Sequence, residues 1–165
     1  MQHVQTRSTT SALVLTAVLI ALATLFTMYT KIPVPGIRGY FNVGDVVIMT
    51  SALLLGRKYG AYIGAIGPAL ADLFLGYAVF VPITFVVKGI EGYLVGTVYN
   101  NKTTTSALAA TILGGIIIVA GYFIAEYFVF DPGVAIASIL TNAIQAVMSV
   151  IISMILYAIL RRRLA

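Results

Sequence analysis

The sequence predicts an all-α integral membrane protein of six transmembrane helices, with the N- and C-termini both cytoplasmic. Three observations carry that expectation. Of 165 residues, 61% are hydrophobic and only 9% charged, against roughly 25% charged in soluble domains. The apolar residues fall into six runs divided by short segments rich in Gly, Pro, Asn and charge. The basic residues also fall on one side of the resulting topology.

The expected spans are 8–28, 43–55, 59–75, 80–99, 106–128 and 133–160, forming a single domain over residues 1–165. A crossing helix needs about 20 mainly apolar residues. The first run meets this; Ala21-Leu22-Ala23 resembles a signal-peptidase site, but the apolar run continues past it. The second run is short, which fits a buried or strongly tilted helix, with a re-entrant segment as the alternative. The third begins after GRK and contains Gly67-Pro68, a pair that kinks or loosens a helix. A short GY separates it from the fourth; YNNKTTT and DPG bound the fifth and open the sixth.

With six crossings the cytoplasmic side carries Arg7, Arg57, Lys58, Lys102, Arg161, Arg162 and Arg163 and no acid. The acids Asp45, Asp72, Glu91, Glu126 and Asp131 then lie in the membrane or on the outer side. A second run that failed to cross would invert every later loop against the positive-inside rule. The net charge of +5 is thus a topology signal, and no nucleic-acid partner is expected. The absence of cysteine excludes disulfides, thiol nucleophiles and Cys-based metal sites. His3 stands alone, so no metal and no cofactor are expected. No G-x-x-x-x-G-K-[ST] loop and no Ser/His or paired-Asp arrangement is present, so the chain is expected not to be an enzyme. Asn101-Lys102-Thr103 matches a glycosylation pattern on the wrong side of the membrane.

Polar residues inside the spans mark a candidate site. Lys88 and Glu91 lie roughly 12–17 Å below the outer end of the fourth span and, three residues apart, share a helix face. Charges at that depth face a protein interior or a water-filled cavity. Thr84 and Phe85 accompany them. Tyr122 and Glu126 share a face near the outer end of the fifth span, with Tyr127 beside them. Asn142 and Gln145 lie about 13–18 Å down the sixth. Three helices thus bring donors, acceptors and aromatic rings to one depth, a combination suited to the edge and faces of a small heteroaromatic ring. The bland readings are a self-neutralising Lys88–Glu91 pair, interhelical hydrogen bonds by Asn142 and Gln145, and an interfacial anchor at Tyr122.

The first outer loop, KIPVPGIRGYFNVGD, is a candidate lid that offers Arg38, Tyr40 and Phe41. Asp45 is read as an N-cap or as a carboxylate at the positive end of the second helix rather than as a ligand. Asp72 is read as paired with Arg38 or Lys88. Small residues at four-residue spacing (Ala17/Ala21, Gly60/Gly64, Ala61/Ala65 and Gly92/Gly96) permit close backbone approach. Internal packing is favoured for Gly92/Gly96; for Ala17/Ala21 a contact with another membrane subunit is the alternative.

In FNVGDVVIMTSALLLGRKYGAYIGAIGPALADLF, in VKGIEGYLVG and in the A-x-x-x-A pair of its first span, the chain resembles the substrate-binding S components of energy-coupling factor (ECF) vitamin transporters. The resemblance covers essentially the whole chain and implies an S-component-like bundle in a bacterial plasma membrane. It further implies a vitamin bound near the outer surface, among the first loop and the fourth to sixth helices. The S component docks on a transmembrane T component coupled to two cytoplasmic ATPases, which topple it to release the vitamin inside. By this resemblance Ala17 and Ala21 form the T-component contact, and Lys88, Glu91, Asn142 and Gln145 are ligand positions. The chain has no tryptophan, which favours a small ring such as hydroxymethylpyrimidine or pyridoxine over riboflavin. The rival classes are a stand-alone proton-coupled carrier using Glu91 or Glu126, and a structural membrane subunit.

Overall fold

The computed structural model describes residues 9–33, 40–99 and 103–164. Among them are six helices: α1 (Thr9–Tyr29), α2 (Gly44–Leu55), α3 (Arg57–Phe74), α4 (Phe80–Val98), α5 (Thr104–Val129) and α6 (Pro132–Leu164). Each lies on one of the six apolar runs. Between α1 and α2, β1 (Ile32–Pro33) pairs antiparallel with β2 (Tyr40–Phe41), so the candidate lid enters and leaves as a short hairpin. Arg38 lies outside the described residues.

The helix boundaries follow local chemistry. Thr103 caps α5 by accepting from the Ser106 N–H (3.1 Å). At α6, Asp131 Oδ1 accepts from the Val134 N–H (3.0 Å), and Pro132 occupies the first turn, where its missing N–H costs nothing. Between α2 and α3 stands a single residue, Gly56, at φ 88°, a conformation that excludes most side chains.

Four helices (α1, α4, α5 and α6) are long and apolar enough to cross a membrane. α2, at 12 residues, is too short to cross upright. It is instead the buried centre of the bundle: residues Gly44 to Leu53 are all buried, and α2 packs on each of the other five helices. Its side chains build both cores. Met49, Ala52 and Leu53 pack with Val95, Ala110, Ile118 and Tyr157, while Val47 and Ile48 pack with Ala23 and Ile63. The outer surface is apolar in turn, with Leu13, Phe128 and Leu140 exposed by 66%, 80% and 70%. That distribution suits lipid, not water.

The glycine pairs do pack internally where α3 meets α4. A Cβ on Gly60 would come within 2.5 Å of the Gly92 carbonyl oxygen, and one on Gly89 within 3.2 Å of Ala65 Cβ. Backbone therefore lies on backbone there. Ala17 and Ala21 differ, since both are exposed on α1. α3 continues through Pro68, and the Gly67 carbonyl beside it accepts from Thr24 Oγ1 (2.9 Å), which ties α1 to α3.

Candidate functional site

At the hairpin end of the bundle, a cavity of about 40 Å3 is lined from α1 by Thr27, from the hairpin region by Tyr40 and Asn42, and from α3 by Pro68 and Asp72. α4 contributes Phe80, Thr84 and Lys88; α5 contributes Tyr122 and Glu126; α6 contributes Ser138, Asn142 and Gln145. Of the site residues read from sequence, Tyr40, Thr84, Lys88, Tyr122, Glu126, Asn142 and Gln145 thus meet around one cavity.

Glu91 does not join them. It is fully buried beneath the cavity, with Oε2 3.6 Å from Lys88 Nζ and its Cγ close to the Gly114 backbone. Neither carboxylate oxygen has a hydrogen-bond partner among the described residues. Sharing a helix face with Lys88 was correctly expected, but the cavity ends one turn above Glu91. Phe85 also departs from expectation: it points outward and is 50% exposed. The aromatic lining comes from Tyr40, Phe80 and Tyr122 instead.

The largest correction concerns Asp45. It is not the N-cap of α2; that position is Val43, without a side-chain cap, and Asn42 Oδ1 takes the Gly44 N–H (2.9 Å). Asp45 stands in the first turn, where a carboxylate suits the helix dipole. Its carboxylate nevertheless turns into the bundle. Oδ1 forms a buried ion pair with Lys88, and Oδ2 accepts from Gln145 Nε2 (2.7 Å). Gln145 Oε1 then accepts from the Asn42 backbone N–H (3.0 Å). Three helices are pinned by this network, and it uses most of the capacity of Gln145.

Asp72 has a partner that was not expected, while the expected pairing with Arg38 falls outside the described residues. Its Oδ1 accepts from the Tyr40 hydroxyl (2.6 Å), so it latches the hairpin to α3. Tyr40 packs on Tyr77 (centroids 5.0 Å apart), which also meets Phe80 edge-on and has Lys31 4.8 Å from its ring centre. Burial, and then the charge of Asp72, hold the Tyr40 phenol above its ordinary pKa, so it stays a donor.

The remaining wall has capacity to spare. Thr84 Oγ1 and the Tyr122 hydroxyl are 3.0 Å apart, and the Lys88 ammonium lies 5.4 Å from the Tyr122 ring centre. Glu126 accepts from Ser138 through Oε2, which leaves Oε1 uncommitted among the described residues. The Asn142 amide meets no protein partner there either. Donors from lysine, amide and phenol thus face carboxylate acceptors across a small void edged by three rings. No cluster of three or more His, Cys, Asp or Glu residues able to hold a metal occurs among the described residues.

Sequence reasoning missed Thr27, Asn42, Asp45, Phe80 and Ser138 as cavity or network residues, and gave Asp72 a pairing role without placing it at the cavity. Only the two acids carried a signal, being charges in or beside apolar runs.

Apolar outer helices around a polar cavity define a membrane-embedded protein built to hold a small polar ligand. The family model for the S component of the ECF-type riboflavin transporter matches residues 7–162, and the chain belongs to that family. An "uncharacterized protein in gap 3'region" of Pyrococcus woesei is 41% identical over 144 residues, covering 86% of this chain and 95% of that protein. The thiamine precursor transporter HmpT of Lactococcus lactis is 29% identical over 148 residues, covering 89% of this chain and 83% of that one. The protein is therefore a membrane-embedded S component. The family implies a vitamin ligand together with T and ATPase partner subunits.

Proposed function

We propose that this chain captures a single-ring vitamin or vitamin precursor, of the hydroxymethylpyrimidine or pyridoxine type, in the cavity beneath the hairpin. It catalyses no reaction itself; ATP hydrolysis belongs to two cytoplasmic ATPases acting through a T component, with six spans and cytoplasmic termini setting the orientation. The observation that carries the substrate class is the cavity's size and chemistry together. About 40 Å3 is room for roughly three waters, a better starting point for one ring than for a fused tricycle. Glu126 Oε1 suits a ring amine or hydroxyl. Lys88 and Asn142 suit ring nitrogens, and Tyr40, Phe80 and Tyr122 suit the ring faces. The likeness to HmpT, a thiamine precursor transporter, supports the pyrimidine.

Riboflavin is the second reading, favoured by the family description. Mass spectrometry of small molecules released from gently purified protein, followed by calorimetry against hydroxymethylpyrimidine, pyridoxine and riboflavin, separates the two. Binding of a one-ring compound with none of riboflavin is expected. Riboflavin binding alone would overturn the substrate assignment, while accumulation in proteoliposomes lacking ATPase subunits would instead favour a self-sufficient carrier.

A further inference from the structure

Threonine in a membrane helix ordinarily satisfies its hydroxyl by donating to the carbonyl four residues back. Three threonines of the α1 segment do so: Thr16 to Ala12, Thr24 to Ile20, and Thr30 to Phe26, at 2.7, 2.9 and 2.5 Å. Thr27, on the same segment, does not. It is 1% exposed, and its Oγ1 has no hydrogen-bond partner among the described residues. Leaving a buried hydroxyl unpaired costs free energy that the local backbone was available to offset.

Two other buried hydroxyls, Thr50 and Ser149, are also unpartnered, but neither lines the cavity, whereas Thr27 does. Its surroundings hold the hydroxyl in place. A Cβ on Gly44 would overlap Thr27 Oγ1 and come within 3.0 Å of Asn42 Oδ1, so the absence of a side chain at Gly44 leaves room for that hydroxyl. Asn42 Oδ1 is itself committed to the Gly44 N–H (2.9 Å).

We infer that Thr27 is a ligand-binding residue, whose hydroxyl completes its hydrogen bonding only with a polar atom of the bound vitamin. This rests on the reading of the cavity as the vitamin site. It adds α1 to the helices that touch the ligand, the same helix that exposes Ala17 and Ala21 on its outer face.

The test is calorimetry on the full-length protein with Thr27→Val and Thr27→Ser, alongside thermal unfolding without ligand, using hydroxymethylpyrimidine, pyridoxine and riboflavin as probes. For whichever probe the wild type binds, Thr27→Val should weaken affinity about fivefold or more, and Thr27→Ser should restore it. Ligand-free Thr27→Val should melt no lower than wild type, because it loses an unpaired buried hydroxyl and keeps the shape. Wild-type affinity in Thr27→Val overturns the inference. So does an equal loss in Thr27→Ser, or a fall in ligand-free melting temperature that accounts for the weaker binding. If only riboflavin binds, the single-ring assignment fails while Thr27 is still tested; if no probe binds wild type, the vitamin-site reading falls and takes this inference with it.

Discussion

Replacing Lys88 by methionine tests whether the charge cluster below the cavity holds the bundle together. Lys88, Asp45 and Glu91 are 1%, 0% and 0% exposed, so one ammonium serves two carboxyl groups with almost no water. Methionine keeps much of the length and all of the apolar stem but removes the charge. Asp45 would then retain the Gln145 N–H, and Glu91 would retain nothing among the described residues. Breaking a buried pair by deleting one partner costs about 3–5 kcal/mol, because the orphaned charge stays buried. Circular dichroism at the helix band suits a chain without tryptophan. A loss of about 4 kcal/mol should lower the melting temperature by roughly 10 °C. Pairing Lys88→Met with Asp45→Asn should recover part of that loss, since it removes one orphaned charge. Melting of Lys88→Met close to wild type would refute the electrostatic argument. A double variant no better than the single one would assign the loss to packing instead.

Two further outcomes follow from the hairpin and from α1. Tyr40→Phe deletes the donor to Asp72 and should cost roughly 1.5 kcal/mol. Because the folded protein holds the Tyr40 phenol above its ordinary 10.0, the wild type's advantage should not change between neutral pH and about 10 on account of that phenol. It should shrink as the pH rises further, where the unfolded chain loses the proton first; a difference independent of pH up to 11.5 would contradict this. Ala17→Leu or Ala21→Leu enlarges an exposed position, so vitamin binding and melting should be unchanged within about 0.5 kcal/mol. ATP-driven uptake in vesicles containing the T and ATPase subunits should fall, and lost vitamin binding would show that these alanines serve the fold.

The helices were legible because the apolar runs and their Gly, Pro, Asn and Thr interruptions are local signals, and each run became one helix. The three-helix site was legible for a related reason. Lysine, amide and carboxyl groups inside apolar runs have few tolerable positions, and helical spacing says which of them share a face. Depth was less legible than face. Lys88 and Glu91 differ by one turn, about 5 Å, and that turn separates the cavity lining from the buried support beneath it. Asp45 stands in the first turn as expected, but its partners were not legible, because a first-turn carboxylate suits a helix dipole wherever its side chain goes. Nothing in FNVGD indicates that α2 would be enclosed by five helices, which is what turns that carboxylate towards Lys88 and Gln145. Thr27 had no signal at all, since a threonine that can bond its own helix is unremarkable in sequence.

The contacts that sequence did not show bear on how the site works. Asp45 and Glu91 act on Lys88 rather than line the cavity. Lys88 has three N–H donors; one is committed to Asp45 on α2, and the carboxyl group of Glu91 on its own helix stands 3.6 Å away without a hydrogen bond. The ammonium is therefore held in position before any ligand arrives, as is the Gln145 amide, fixed between Asp45 and the Asn42 backbone. A ligand that meets a preset donor loses less ordering entropy than one that must recruit a free lysine. The residues with open capacity, Asn142, Glu126 and Thr27, lie on α6, α5 and α1, around a floor that α2 and α4 keep rigid. On the proposed reading of the cavity as the vitamin site, discrimination among ring vitamins belongs to that open rim, and the buried triad contributes to affinity for any of them. Substitutions at Asn142 or Glu126 should accordingly change the ranking of ligands, whereas Asp45→Asn should weaken all of them together.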